Sequence, residues 1–294
     1  MANLKEIRSR ITSVNSTMQI TAAMKMVSAA KLKRAQDKVI QMRPYAGKLQ
    51  MIMQNVSSAM DAGEGVYSAQ RELKNVLYVV ISSNRGLCGG FNNQVIKQTN
   101  VSVEEHRQRG EQVHVLPLGK KVFDKFKKTD LLLTEPIGKF PYEIQNDLTF
   151  EAVAALTEQL MELFRNGTYD KIMLVYNSFK NAAVQVCMNE QFLPIVPPVQ
   201  EGGAEMGNID YIFEPNKEEI ITTLIPQSLK TQMFKALLDS TAAEHGARMT
   251  AMHKATDNAS ELSKSLKLTY NKARQAAITA EILEIVGGAE ALNN

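Results

Sequence analysis

Leu4-Lys-Glu-Ile7-Arg-Ser-Arg-Ile11-Thr-Ser-Val14-Asn-Ser-Thr-Met18 sets an apolar side chain at alternating steps of three and four residues. An α-helix turns once in ~3.6 residues, so such steps hold the apolar groups on one stripe, the seam that a second helix covers in a coiled coil. The same register runs on through Thr21, Lys25, Ser28, Leu32, Ala35, Val39, Met42, Ala46, Leu49, Met53 and Val56, with Lys25 its one charged member. The spacing predicts a helix of about 55 residues, on the order of 80 Å long at ~1.5 Å per residue. Pro44 is expected to kink it or to interrupt its hydrogen bonds, since proline has no amide hydrogen and crowds the preceding turn. The pattern fades at Ala62-Gly63-Glu64-Gly65, which reads as a terminator.

The last third of the chain repeats the pattern at Met252, Ala255, Ala259, Leu262, Leu266, Thr269, Ala273, Ala276, Ala280 and Leu283. Leu238, Ala242, His245 and Met249 lead into it in a neighbouring register, which predicts a local change of supercoil near Met252, with Gly246 a soft spot beside it. A helix with so small-sided a seam is marginal alone in water, so each long helix needs a partner. Because both chain ends lie in these helices, the simplest arrangement is an antiparallel pair with a domain inserted between them. Separate homodimeric coils are the alternative.

Between the helices the period changes. Val76-Leu-Tyr-Val-Val-Ile81 is a continuous apolar run of strand type, followed by a glycine turn and a helical segment from about Asn92. Val113 to Leu118 reads as a second strand, Lys120 to Lys127 as a short helix and Asp130 to Thr134 as a third strand. Thr149 to Asn166 reads as a helix with Phe150, Val153, Leu156, Leu160 and Leu163 on one face, stopped by Gly167. Lys171 to Tyr176 is a further strand, Ala183 to Met188 an edge strand, the stretch 196–203 a linker and Asp210 to Phe213 a last short strand. Alternating strands and helices imply an α/β domain with a partly parallel sheet. The expected fold is α/β plus a long coiled coil, with a Rossmann-like domain inserted into an antiparallel helix pair. Its boundaries are 1–60 for the first helix, 61–208 for the domain and 209–294 for the second helix.

Composition narrows the function. With 34 Lys and Arg against 31 Asp and Glu the whole chain is near neutral, which selects neither nucleic acid nor membrane as partner. Residues 1–43 differ: Lys5, Arg8, Arg10, Lys25, Lys31, Lys33, Arg34, Lys38 and Arg43 stand against Glu6 and Asp37 alone, so this segment seeks an acidic surface unless it is simply a solvated face. Cys88 and Cys187 form no metal or redox spacing, and no apolar run approaches the ~18 residues of a membrane span. The N-terminus reads as mature structure, neither spanning nor secreted.

The strongest catalytic lead is Ser82-Ser-Asn-Arg-Gly86-Leu-Cys-Gly89-Gly90-Phe-Asn-Asn, between a strand and a helix, where amides would suit a phosphate. Its spacing matches neither the dinucleotide fingerprint nor a phosphate loop ending in Gly-Lys-Ser/Thr, and it reads first as a structural turn, with nucleotide or protein contact as alternatives. His106, His114, His245 and His253 are dispersed, and none shares a ligand spacing with a carboxylate or thiol. At the end of the chain Ile278, Ile282, Leu283, Ile285 and Val286 put apolar groups on more than one face of a helix tip, so part of it should meet a domain core or a partner.

These segments resemble one known family along essentially the whole chain, the gamma subunit of bacterial rotary proton-translocating ATP synthases. The resemblance is carried by Lys5-Glu-Ile-Arg8-Ser-Arg-Ile, Ile20-Thr-Ala-Ala-Met24-Lys-Met-Val and Ala30-Lys-Leu-Lys at the start, and by Arg85-Gly-Leu-Cys-Gly-Gly-Phe-Asn in the middle. Ala247-Arg-Met-Thr-Ala-Met-His-Lys-Ala-Thr-Asp-Asn-Ala and Ile278-Thr-Ala-Glu281-Ile-Leu-Glu284-Ile-Val-Gly-Gly288-Ala289 carry it near the end. It implies a rotor shaft turning inside a ring of alpha and beta subunits, with catalysis on the partners and no catalytic residue, cofactor or metal in this chain. By matching positions, Met24, Lys31, Lys33 and Arg34 would face acidic lever loops of the beta subunits, and Arg274, Gln275, Thr279 and Glu281 would hydrogen-bond loops higher in the ring. The tip from Ile282 through Ile285 would turn in an apolar sleeve, while Tyr211 and Phe213 would grip the epsilon subunit and the membrane subunit-c ring. It further implies a peripheral place on the cytoplasmic face of the inner membrane, reached through the complex, with no nucleic acid as partner. The rival reading is a nucleotide-binding α/β protein dimerised by coiled-coil arms, which would bind ATP saturably on its own.

Overall fold

The computed structural model describes residues 4–58, 67–133, 141–145, 148–195 and 217–292. The backbone separates into two compact units, residues 1–29 with 248–294 and residues 30–247. Two long helices run through both: α1, Leu4–Ser58, and the last helix of the chain, Lys217–Leu292.

The larger unit is built on a four-stranded sheet of β1 (Asn75–Ile81), β2 (Gln112–Leu118), β3 (Lys171–Phe179) and β4 (Gln185–Leu193). The spatial order is β2-β1-β3-β4; β1 pairs in parallel with β2 and β3, and β4 closes one edge antiparallel to β3. The helices between strands are α2 (Phe91–Gln108), α3 (Lys120–Phe126) and α4 (Phe150–Arg165), which makes the final helix α5. Successive strand residues point to opposite faces, and here both faces are covered, which is why β1 is apolar without alternation. Val76, Tyr78 and Val80 meet Val95 and Val103 of α2 and Val122 and Phe126 of α3 on one side. Leu77, Val79 and Ile81 meet Leu160 and Phe164 of α4 and Leu229 and Met233 of α5 on the other. The α4 boundaries follow local chemistry: the Thr149 hydroxyl accepts the Ala152 amide at 3.3 Å, and Gly167 takes the positive φ of 73° that ends the helix.

Three expectations need correction. The third strand is a single parallel bridge, Val115 with Leu132; Thr134 lies outside the described residues. Pro44 lies inside α1, which continues past it to Ser58, with Val39 and Leu49 buried on either side of the proline. Gly246 is no soft spot. A methyl group there would stand 3.1 Å from the Phe179 ring and 3.3 Å from Ala182, so glycine lets α5 pass close to the β3–β4 turn. Histidines do meet carboxylates: buried His106 pairs with Glu111, five residues on, and His253 lies 3.5 Å from Asp257 on one helix face. The terminator at 62–65, the linker at 196–203 and the strand at 210–213 fall outside the described residues.

Burial raises the phenols of Tyr78 and Tyr169 from 10.0 to about 12. Tyr176 is raised further, first by burial and then by the adjacent Glu190 carboxylate. In the unfolded chain each phenol ionises near its ordinary value, so between pH 10 and 12 unfolding releases protons and stability falls as pH rises. Each buried tyrosine is expected to remove about 1 kcal/mol per pH unit across that window. Urea unfolding at pH 9, 10 and 11 checks it; a midpoint that holds constant contradicts the account.

Candidate functional site

In the smaller unit the first seam is as the sequence dictates. Ile7, Thr21 and Ser28 of α1 are buried, and Leu4, Ile11, Val14, Met18 and Lys25 are half-buried. A ladder of polar contacts crosses to α5. Lys25 Nζ stands 3.3 Å from His253 Nδ1, Thr256 donates to the Thr21 hydroxyl at 2.8 Å, and Ser263 donates to Asn15 Oδ1 at 2.8 Å. Arg8 donates to the Tyr270 hydroxyl at 3.2 Å, and its guanidinium lies 5.8 Å from that ring's centre. The partners descend α1 as they climb α5, which establishes the antiparallel pairing and its register. Continued by one turn, the register sets Leu4 beside Arg274.

On the α5 side the seam departs from expectation. Met252 and Ala259 are buried and Ala255, Leu266 and Ala273 half-buried, as read, but Leu262 is 50% exposed while Ser263 is 5% exposed. Thr269 is likewise exposed and Tyr270 half-buried. Reading by hydrophobicity chose the leucine, whereas the structure turns the hydrogen-bonded serine inward.

Beyond Arg274 the described part of α1 offers no partner, and every residue of α5 from Arg274 to Ala289 is exposed. Arg274, Gln275, Thr279, Glu281, Ile282 and Ile285 all lie on this overhang, with Ile282 and Ile285 at 55% and 67% exposure. The Thr279 hydroxyl is already used, donating to the Gln275 carbonyl at 2.9 Å. Met24 is half-buried on α1 in the smaller unit, and its carbonyl accepts from Ser28 at 2.7 Å. Lys31, Lys33 and Arg34 are exposed on the part of α1 in the larger unit, where Lys33 pairs with Asp37 at 2.8 Å. Tyr211 and Phe213 lie outside the described residues.

Reading the seam alone missed Ile20, Met26 and Val27, apolar residues of α1 exposed by 59%, 67% and 57%. The signal was present, because Ile20, Met24 and Val27 stand four and three residues apart, a second apolar stripe beside the seam. Apolar groups left in water along a helix that is otherwise paired mark a contact surface.

The glycine turn is closed on itself. The Asn92 side chain accepts the Ser83 amide at 3.0 Å and donates to Cys88 Sγ at 3.2 Å, while Leu87 and Gly89 take φ of 63° and 59°. Among the described residues no group of three or more His, Cys, Asp or Glu side chains is arranged to hold a metal ion, and no helix is long and apolar enough to cross a membrane.

A long antiparallel helix pair, in which the end of α5 has no partner among the described residues, on a chain that also folds a doubly covered α/β sheet, defines the class: a coiled-coil α/β protein with helix surfaces open to contact. A family model described as ATP synthase matches residues 3–292. The chain is 60% identical over 295 residues to the ATP synthase gamma chain of Flavobacterium johnsoniae and 57% identical over 294 residues to that of Christiangramia forsetii, with 100% of each chain covered. It thus belongs to the ATP synthase gamma-chain family. Its fold is similar to a chain of the Euglena gracilis mitochondrial ATP synthase in an OSCP/F1/c-ring structure, at a TM-score of 0.65 and 19% identity, covering 98% of this chain and 94% of that one. A chain of the Tetrahymena thermophila central stalk and c-ring is similar at a TM-score of 0.57 and 24% identity, over 80% and 99% of the two chains.

Proposed function

We propose that this chain is the central rotor shaft of an ATP synthase, carrying torque between proton translocation through the membrane subunit-c ring and ATP synthesis on the beta subunits. The observation that carries the reading is the α5 overhang, continuously helical, exposed from Arg274 to Ala289 and studded with Ile278, Ile282, Leu283, Ile285 and Val286. In water such a surface is costly, and a surrounding sleeve of alpha and beta subunits would remove it from solvent. The exposed cations Lys31, Lys33 and Arg34 suit acidic loops of the beta subunits, and Met24 would join them. Arg274, Gln275, Thr279 and Glu281 would meet loops higher in the ring. Tyr211 and Phe213 would serve the epsilon subunit and the c-ring, and the functional parts would be 1–60, 61–208 and 209–294. Catalysis would belong to the beta subunits, and the complex would sit peripherally on the cytoplasmic face of the inner membrane.

The mechanism is differential contact. Three catalytic subunits of one sequence adopt different affinities only if something touches them differently, and a shaft without symmetry does so as it turns. Moving one charge through 100 mV delivers ~2.3 kcal/mol, so several translocations must be gathered and passed along a stiff element. Replacing Arg274→Glu in the assembled complex is expected to cut protons pumped per ATP hydrolysed on the order of fivefold, the size of a modest coupling free energy. The residue is exposed in the chain, so helical content should hold. Unchanged pumping per ATP would count against the proposed place of Arg274.

A further inference from the structure

The seam of the two-helix unit has two competing solutions. Hydrophobicity alone would run it along α5 through Met252, Ala255, Ala259, Leu262, Leu266 and Thr269, whereas Ala255 and Thr256 are both half-buried and beyond Ala259 it runs through Ser263, Leu266 and Tyr270. The two share Met252, Ala255, Ala259 and Leu266 and part by one residue at Leu262 against Ser263 and at Thr269 against Tyr270. A turn of α5 about its own axis by roughly half of the ~100° between consecutive residues converts one into the other. Leucine gains more than serine by leaving water, so burial by itself favours the solution that is not adopted. The polar contacts favour the one that is. Ser263 to Asn15, Tyr270 to Arg8 and Thr256 to Thr21 all belong to the observed setting, and the turn would pull each apart.

We propose that Asn15, assisted by Arg8 and Thr21, sets the rotational position of α5 on α1 and thereby decides which side chains α5 shows to its surroundings. Apolar contacts tolerate many arrangements, while a buried hydroxyl and a facing amide satisfy each other in few, so polar pairs select among packings that hydrophobicity leaves close in energy. The consequence is that Leu262, 50% exposed, is held on the outer surface. These are positioning residues: they touch no reacting group but orient the surface that does the touching. The bearing on torque rests on the shaft reading above, whereas the rotational setting does not.

The test uses the full-length chain with a reporter cysteine at either of two positions, Thr269→Cys or Ser260→Cys, with maleimide labelling read site by site by mass spectrometry. Thr269 is exposed and would turn into the seam; Ser260 is half-buried and would turn out of it. Asn15→Leu is expected to slow labelling at 269 on the order of tenfold as that position becomes protected, and to quicken it at 260, with helical content unchanged. Adding Ser263→Leu supplies an apolar pair at the observed position and should restore both rates. Unaltered rates in Asn15→Leu, or faster labelling at both positions because the helices part, would overturn the proposal. Neither readout involves a ring subunit, so this result and that of Arg274→Glu stand or fall separately.

Discussion

Gly119→Ala should destabilise the α/β domain by about 3–5 kcal/mol and lower its melting temperature by roughly 10–15 °C. Gly119 joins β2 to α3 at a φ of 153°, a conformation that glycine adopts freely and a Cβ does not. An added methyl group would collide with both the carbonyl and the hydroxyl oxygen of Ser82. Neither oxygen is free to move: the hydroxyl accepts the Val122 amide at 3.1 Å at the start of α3, and the carbonyl accepts from the Gln145 side chain at 2.5 Å. Relief therefore requires the end of β1 and the start of α3 to separate, which opens the core around Val80 and Val122. Calorimetry of the purified chain measures the loss; a shift below 3 °C would mean that this junction yields without cost.

Phe164→Ala is the second large loss, about 3–5 kcal/mol, for a different reason. The ring is fully buried between the sheet and α5, so truncation leaves a cavity that a doubly covered sheet cannot collapse to fill. The Arg71 guanidinium lies 5.1 Å from the ring centre and donates to the Phe164 carbonyl at 2.8 Å, so the substitution also strips the face on which that cation rests. Phe164→Leu keeps most of the volume and should recover more than half of the loss, with urea midpoints as the measure. Equal destabilisation by Leu and Ala would assign the effect to the aromatic face, not the cavity.

Legibility followed the kind of force at work. On α1 from Leu4 to Leu49 every seam position read from spacing is buried or half-buried, because apolar periodicity and burial are the same information on a helix paired along one stripe. The strands β1, β2 and β3 were legible for a similar reason: sheets covered on both faces leave continuous apolar runs. Reading failed at Ser263 and Tyr270, where a polar side chain is inside because of a partner more than two hundred residues away. It failed at Gly246, where the need for a small residue is set by Phe179 and Ala182, and at His106, whose carboxylate partner is brought back by the turn after α2. Among the candidate contact residues, those of the overhang were expected at a helix tip, but that they lie past the end of the pairing emerged only from the register.

Sequence by itself therefore determined the two long helices, the α/β domain between them, the family, and which helix tip is too apolar for water. These are properties of local periodicity and composition, which survive in one dimension. Tertiary structure alone decided where the helix pairing stops, which face of α5 turns outward, and why glycine stands at 119 and 246. Each of those depends on a contact between distant segments, and hydrogen bonds and close approaches leave no periodic trace in the chain that makes them.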